Sequence, residues 1–454
     1  MLSKPRIQSL SRLLFTPCLL WLCYFPMRLK SQIGDSLKLP FAIAEEKKLS
    51  DEDLANKKEG AYITGAPDLS SDPINGFGYG GEASIFFNGK KSDPFFAYTA
   101  YRANLNISLF NTTRNQREFF LKLDVPYLLN TKWRLRMEGG YEANPNLLYF
   151  GINEQSLNGL SYYPNNDSSQ NIIHNASYSA YESSLNGNNK FYNSYSKKEA
   201  VLNVSLERAY LQGKLRCLLG YEIAYVDFSP FQGNSLLKID ADAGRIAGLK
   251  KGIVQLWQVG FIYDTRDLET DPSNGVFSEL TNETSLQALG SAYNFNKTFF
   301  HFNYYKKMLP GHIKKLVLAA RTAFGFTALN SPFFEYQDEW SSEGSIEGLG
   351  GPTTLRGFKQ SRFLSRAMMF NNLELRWRFA QTTLLKQHLA FSAVPFADVG
   401  AVWNTLPRVF TQNNFKGNAG LGLRIAWNVN TILRFDYAVS KEDQQFFFNL
   451  AHAF

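Results

Sequence analysis

Glu374 and Asp398 are the residues whose type and placement best suit chemistry. Each sits in a segment that alternates apolar and polar residues. In 371–379, Leu373, Leu375, Trp377 and Phe379 share one face, and Asn372, Glu374, Arg376 and Arg378 share the other. Phe396-Ala397-Asp398-Val399-Gly400 lies in the next such segment. Strand side chains alternate between faces, so both carboxylates fall on polar faces of adjacent strands. Before them runs Gly348-Leu349-Gly350-Gly351-Pro352-Thr353-Thr354-Leu355-Arg356-Gly357-Phe358, a glycine-rich loop sequence carrying one arginine. A guanidinium offers a planar fork of donors that carboxylates accept, so the chemistry on offer is ionic clamping, not catalysis.

Nothing else in the sequence supplies a reaction. GxSxG, HExxH and P-loop patterns are absent, and the 5 His are scattered without metal-ligand spacing. A membrane-embedded lipid hydrolase would need a Ser/His pair on a lipid-facing strand, and no convincing spacing offers one. Gly76-Phe77-Gly78-Tyr79-Gly80-Gly81 contains GxGxxG, but a strand instead of a helix follows it, which excludes dinucleotide binding. Of the 3 Cys, Cys18 and Cys23 lie in the N-terminal targeting segment, leaving Cys217 without a partner for a disulfide or metal site. The chain is expected to be no enzyme and to hold no metal or cofactor.

The elements that position the two carboxylates repeat along the chain. Leu433, Phe435, Tyr437 and Val439 oppose Arg434, Asp436 and Ser440, and Leu421, Leu423, Ile425 and Trp427 oppose Asn418, Gly420, Gly422 and Arg424. Earlier, Phe119, Leu121 and Leu123 oppose Lys122 and Asp124. The pattern predicts 16 antiparallel strands between residues 60 and 454, the first at 60–69, the third at 98–113 and the last at 446–454. Such lengths exceed the globular mode and fit a tilted bilayer span. An uninterrupted run of such hairpins must also close on itself to hide its edges. Long loops at 145–197, 230–254, 329–365 and 404–415 are separated by even numbers of strands, so they share one side. Tight turns at Asn130-Thr131-Lys132, Gly213-Lys214, Pro310-Gly311-His312 and Val429-Asn430 occupy the other. Long outer loops with short periplasmic turns mark an outer-membrane barrel and place both chain ends in the periplasm.

Composition agrees. The chain of 454 residues holds 38 Phe, 23 Tyr and 7 Trp, yet its mean hydropathy is −0.26. Past the first thirty residues or so, no apolar stretch reaches the ~18 residues a spanning helix needs. The net charge of +8 comes without an isolated basic cluster, which argues against a nucleic-acid partner. Lys4, Arg6 and Arg12 precede an apolar run from Leu13 to Pro26, and Ala42-Ile43-Ala44 fits a small-residue cleavage rule. Residues 1–44 therefore read as an export signal, 45–59 as a flexible charged lead-in, and 60–454 as the barrel.

Leu355-Arg356-Gly357-Phe358 resembles the Val/Leu-Arg-Gly-Phe/Tyr motif of the Omp85 superfamily, the family of the surface antigen D15 and of BamA and TamA. Three further segments match in order. Tyr263-Asp264-Thr265-Arg266-Asp267 with Pro272 and Gly275 resembles the family's Asp-x-Arg-Asp…Pro-x-x-Gly element, and 372–376 and 396–400 resemble its Glu-bearing and Phe-x-Asp-x-Gly strands. The resemblance implies an all-β, 16-stranded transmembrane barrel with a long extracellular loop folded into the lumen. It also implies that Arg356 is clamped by Asp398 and Glu374; an exposed loop arginine is the alternative. Phe446, Phe448, Leu450 and Phe454 resemble the lipid-facing terminal signal by which barrel-assembly machinery recognises clients.

The implied function is outer-membrane protein insertion or polypeptide transport, with a passive pore or a structural surface antigen as the alternative. The implied partners are outer-membrane lipid, assembly machinery for the barrel's own insertion, and client polypeptides or a separate periplasmic POTRA-type protein. Only about fifteen residues separate the export segment from the first strand, too few for a folded POTRA domain. The expectation is a barrel without one.

Overall fold

The computed structural model describes residues 38–72, 74–162, 171–185, 192–230, 235–309, 315–329, 331–406 and 415–454. The expected export segment up to residue 37, the expected turn at 310–312 and parts of the long loops lie outside them.

Leu39–Phe454 forms one unit built on a single 16-stranded sheet in which each strand pairs with the next in sequence. The strands are β1 (Ala61–Asp72), β2 (Gly76–Phe87), β3 (Ala103–Thr112), β4 (Arg117–Val125), β5 (Trp133–Leu148), β6 (Ser194–Tyr210), β7 (Leu215–Pro230) and β8 (Gly252–Asp264). They continue with β9 (Gly275–Ser285), β10 (Phe295–Lys307), β11 (Lys315–Leu329), β12 (Ala367–Leu384), β13 (Gln387–Trp403), β14 (Lys416–Trp427), β15 (Thr431–Ser440) and β16 (Gln444–Leu450). All sixteen expected strands are present, in a nearly closed antiparallel barrel. Among the described residues no ladder joins β1 to β16.

Alternation decides which face each residue takes. On β8, Ile253, Trp257, Val259, Phe261 and Tyr263 are exposed on the outer wall, while Val254, Leu256, Gln258, Ile262 and Asp264 are buried inside. On β12, Leu373, Leu375, Trp377 and Phe379 face out, while Asn372, Glu374 and Arg376 are buried within. An outer wall of large apolar side chains on strand after strand is far beyond what a water-facing surface tolerates. It is the surface a bilayer requires.

One end of the barrel carries tight turns. Left-handed backbone at Leu129 and Asn130, at Leu211 and Gln212, and at Leu385 and Lys386 closes three of them. The other end carries the long connections. One of them, 331–366, folds into the lumen, where Leu349, Leu355, Phe358 and Phe363 pack with Phe299, Met368, Phe370 and Val402 of the wall. A second aromatic group near the same end gathers Tyr149, Tyr195, Phe228, Phe333 and Phe334.

Three expectations are corrected. Residues 45–59 are no free lead-in: they fold across the tight-turn end as a strap. Ser50 caps a helix, α1 (Asp51–Asn56), by accepting from the Asp53 N–H, and acidic residues fill its first turn. Ala44, at the end of the small-residue triplet, donates to Gln212 O at 2.9 Å, and Leu49 donates to Ala97 O at 2.8 Å. The expected third strand at 98–113 starts only at Ala103, because 88–102 forms turns that receive the strap. Lys57 Nζ donates to Phe96 O at 2.5 Å and to Thr99 O at 2.7 Å. Finally, the last strand stops at Leu450. Ala451 has φ +70°, and the chain turns inward, so Phe454 lies in the lumen instead of on the lipid face.

Candidate functional site

The lumen loop is held by a buried ionic cluster. Two neighbours of Arg356, Leu355 and Phe358, anchor the loop tip in the apolar group described above. Gly357 between them passes so close to β14 that a Cβ there would lie 2.5 Å from the Cβ of Asn418. The glycine is what lets the loop reach the wall.

Arg356 is wholly buried. Its Nε donates to Asp398 Oδ2 at 2.9 Å and its Nη2 to Asp398 Oδ1 at 2.7 Å. Its Nη1 donates to Glu374 Oε1 at 2.6 Å and to Asp436 Oδ2 at 3.3 Å. The guanidinium also stacks 3.5 Å above the centre of the Phe396 ring. The bidentate contact with Asp398 uses the fork geometry that lysine lacks.

The register delivers these partners. Asn372 on β12 is directly opposite Asp398 on β13, which is opposite Asn418 on β14. Both asparagines donate to Asp398, at 2.7 and 2.8 Å. Arg376 Nε donates to Glu374 Oε2 at 2.8 Å, and Arg424 Nη1 to Asp436 Oδ1 at 2.6 Å. Glu374, Asp398 and Arg356 thus sit together as the resemblance implies. Asp436, Arg376, Arg424, Asn372 and Asn418 complete the cluster and were not singled out from the sequence. The available signal was their place on the same polar faces.

The second family-like segment sits near the tight-turn end and is mainly architectural. Asp267 Oδ1 accepts from the backbone N–H groups of Ser273 and Asn274 at 2.9 and 3.2 Å, folding the β8–β9 turn. Gly275 has φ +109°, and a Cβ there would lie 2.3 Å from Thr265 O. Asp264 Oδ1 accepts from Arg266 Nε at 3.1 Å, and Arg266 in turn grips both oxygens of Glu343 on the lumen loop.

The C-terminal residues divide. Phe446 is exposed on the outer wall, and Phe448 stacks on Phe435 with ring centres 4.8 Å apart. Leu450 is directly opposite Leu433. Phe454 instead lies 6.4 Å from the Tyr305 ring, and its backbone oxygen accepts from Arg376 at 2.8 Å. His452 Nε2 meets Asp271 Oδ1 at 3.2 Å.

The loop does not fill the lumen. A cavity of about 1210 Å³ remains, lined by polar residues of β2–β7, among them Glu82, Asn106, Glu118, Lys122 and Lys197. At its edge Ser341, His301 and Glu279 gather. Ser341 Oγ donates to Glu279 at 2.7 Å, and the same His301 Nε2 faces both Glu279 and Ser341. A nucleophile–base relay needs the two ring nitrogens to serve different partners, so this group is not one.

Comparison with known proteins agrees with the architecture. A model of the Omp85 superfamily domain matches residues 101–454, and a domain of unknown function, DUF5982, matches 39–102. No curated protein matches the chain. Among solved structures, CdiB from Escherichia coli aligns with a TM-score of 0.51 and 10% identity, over 86% of this chain and 62% of its own. BamA from Haemophilus ducreyi lacking POTRA domains 1-3 aligns at 0.49 and 15%, over 87% and 70%. The chain thus spans under two thirds of that CdiB, and the CdiB likeness concerns the fold alone.

Proposed function

The chain belongs to the Omp85 superfamily, and on that premise we propose that it is a protein-handling barrel of the outer membrane, acting in insertion or translocation of client polypeptides. The observation that carries this reading is the Arg356 cluster, which spends a fully buried guanidinium and three carboxylates on holding one loop inside the lumen. Buried ion pairs of this kind add little net stability, so their use here is to fix geometry. The work is binding and guidance, with no bond made or broken by the protein. The tight-turn end and both chain ends face the periplasm in this reading. The partners are client polypeptides and a separate periplasmic POTRA-type protein. Phe446 and Phe448 on the outer wall would meet the assembly machinery during the barrel's own insertion.

The test is client insertion by the purified barrel in liposomes, run beside planar-bilayer conductance. Wild-type barrel should promote insertion or passage of an outer-membrane client, and Arg356→Ala should abolish this while still folding. A steady, solute-selective conductance without any effect on clients would make the protein a passive pore. Recovery of a periplasmic POTRA-type protein from an outer-membrane extract would support the proposed partner.

A further inference from the structure

The strap at 39–60 touches a part of the wall that also touches the lumen loop. Lys47 Nζ lies 3.0 Å from Asp264 Oδ1. The same oxygen accepts from the Arg266 backbone N–H at 3.0 Å and from its Nε at 3.1 Å. Arg266, packed 4.2 Å from the Phe277 ring centre, holds both oxygens of Glu343. Two residues before Glu343, Ser341 bonds to Glu279 on β9, and the Ser342 N–H donates to Glu279 as well. An unbroken ionic path therefore runs from strap to wall to loop.

The strap covers the wall end of this path, while Glu343 at its loop end faces the lumen cavity. Asp264 is fully buried, and Arg266 and Arg216 are nearly so. A void of only about 70 Å³ lies beneath the strap, lined in part by Lys47, Leu49, Arg216, Arg266 and Glu269. Leu49 packs with Ala100, Leu268 and Val429, and Glu46 pairs with Lys214. Ion pairs that hold in a dry site weaken several-fold once water enters.

We infer that residues 39–60 form a latch: docked through Lys47 and Leu49, the strap keeps Asp264 and Arg266 dry and aligned on Glu343, and lifting it loosens the lumen loop. Whatever displaces the strap at the tight-turn end thereby reaches the inside of the barrel. Burial pulls the Lys47 ammonium below the ordinary lysine value, outweighing the opposing pull of Asp264 and Glu269.

The test is hydrogen–deuterium exchange of the full chain folded in detergent micelles. Lys47→Ala should speed exchange about fivefold or more, the usual floor for coupled sites, in the strap and in loop residues 339–347. Exchange in the helix Leu236–Asp242, which lies off the path, should stay unchanged. Lys47→Arg should behave as wild type. Leu49→Ala, which frees the strap without removing the ammonium, should reproduce the pattern and serves if Lys47→Ala does not fold. In a Glu343→Gln background, Lys47→Ala should add nothing at 339–347. Faster exchange in the strap alone, equal acceleration at Leu236–Asp242, or a full additional effect in the Glu343→Gln background would each overturn the latch.

Discussion

Strands β8–β15 and strands β2–β7 follow one alternation and differ in what meets their inner faces. On β8, β9 and β10, inner residues are buried almost without exception. On β3 and β4 they are mostly half-buried. The first group is covered by the lumen loop, whose apolar tip and Arg356 consume the inner surface. The second lines the open cavity, where among the described residues Glu82 and Glu118 are bonded by the side-chain amides of Asn106 and Gln116. Binary patterning therefore specifies a wall, while the content of the lumen is decided by one loop sequence with glycines where it must press against strands.

That difference predicts where substitutions hurt. The largest effect is expected for Arg356→Ala, which strands Asp398 and Glu374 without their cation. Losing one partner of a buried pair costs roughly 3–5 kcal/mol, measurable by denaturant unfolding in detergent. Arg356→Lys should recover only part, because it keeps the charge and loses the fork. Phe358→Ala should cost up to roughly 3–5 kcal/mol, as core aromatic truncations do, and should release the loop to added protease. Gly357→Val should be milder, on the order of 1–3 kcal/mol from overpacking against Asn418, read as a lowered Tm. Glu118→Gln, in the hollow half, should stay within about 0.5 kcal/mol. A Glu118→Gln cost equal to that of Arg356→Ala would erase the distinction between the halves.

The wall was legible in the sequence because period-two alternation survives without knowledge of neighbours. Glu374 and Asp398 could be placed on one face for the same reason, and the loop motif supplied Arg356. Asp436 was visible on the polar face of its strand, yet nothing local tied it to a residue eighty positions earlier. The strap was illegible because Glu45, Glu46, Lys47, Asp51, Glu52 and Asp53 look like a solvated run. Their partners Lys214, Asp264 and Arg378 are scattered over distant strands. Phe454 was misplaced because alternation was counted straight through Ala451, whose left-handed backbone resets the faces.

The unequal length of the two outermost strands sets a limit on closure. β1 has 12 residues and β16 has 7, so even a fully zipped margin would leave about five residues of β1, roughly 17 Å of chain at ~3.4 Å each, with nothing to bond to. Bare amides and carbonyls do not persist in hydrocarbon. Whatever part of that stretch lies within the bilayer must take its hydrogen bonds from water or from another chain.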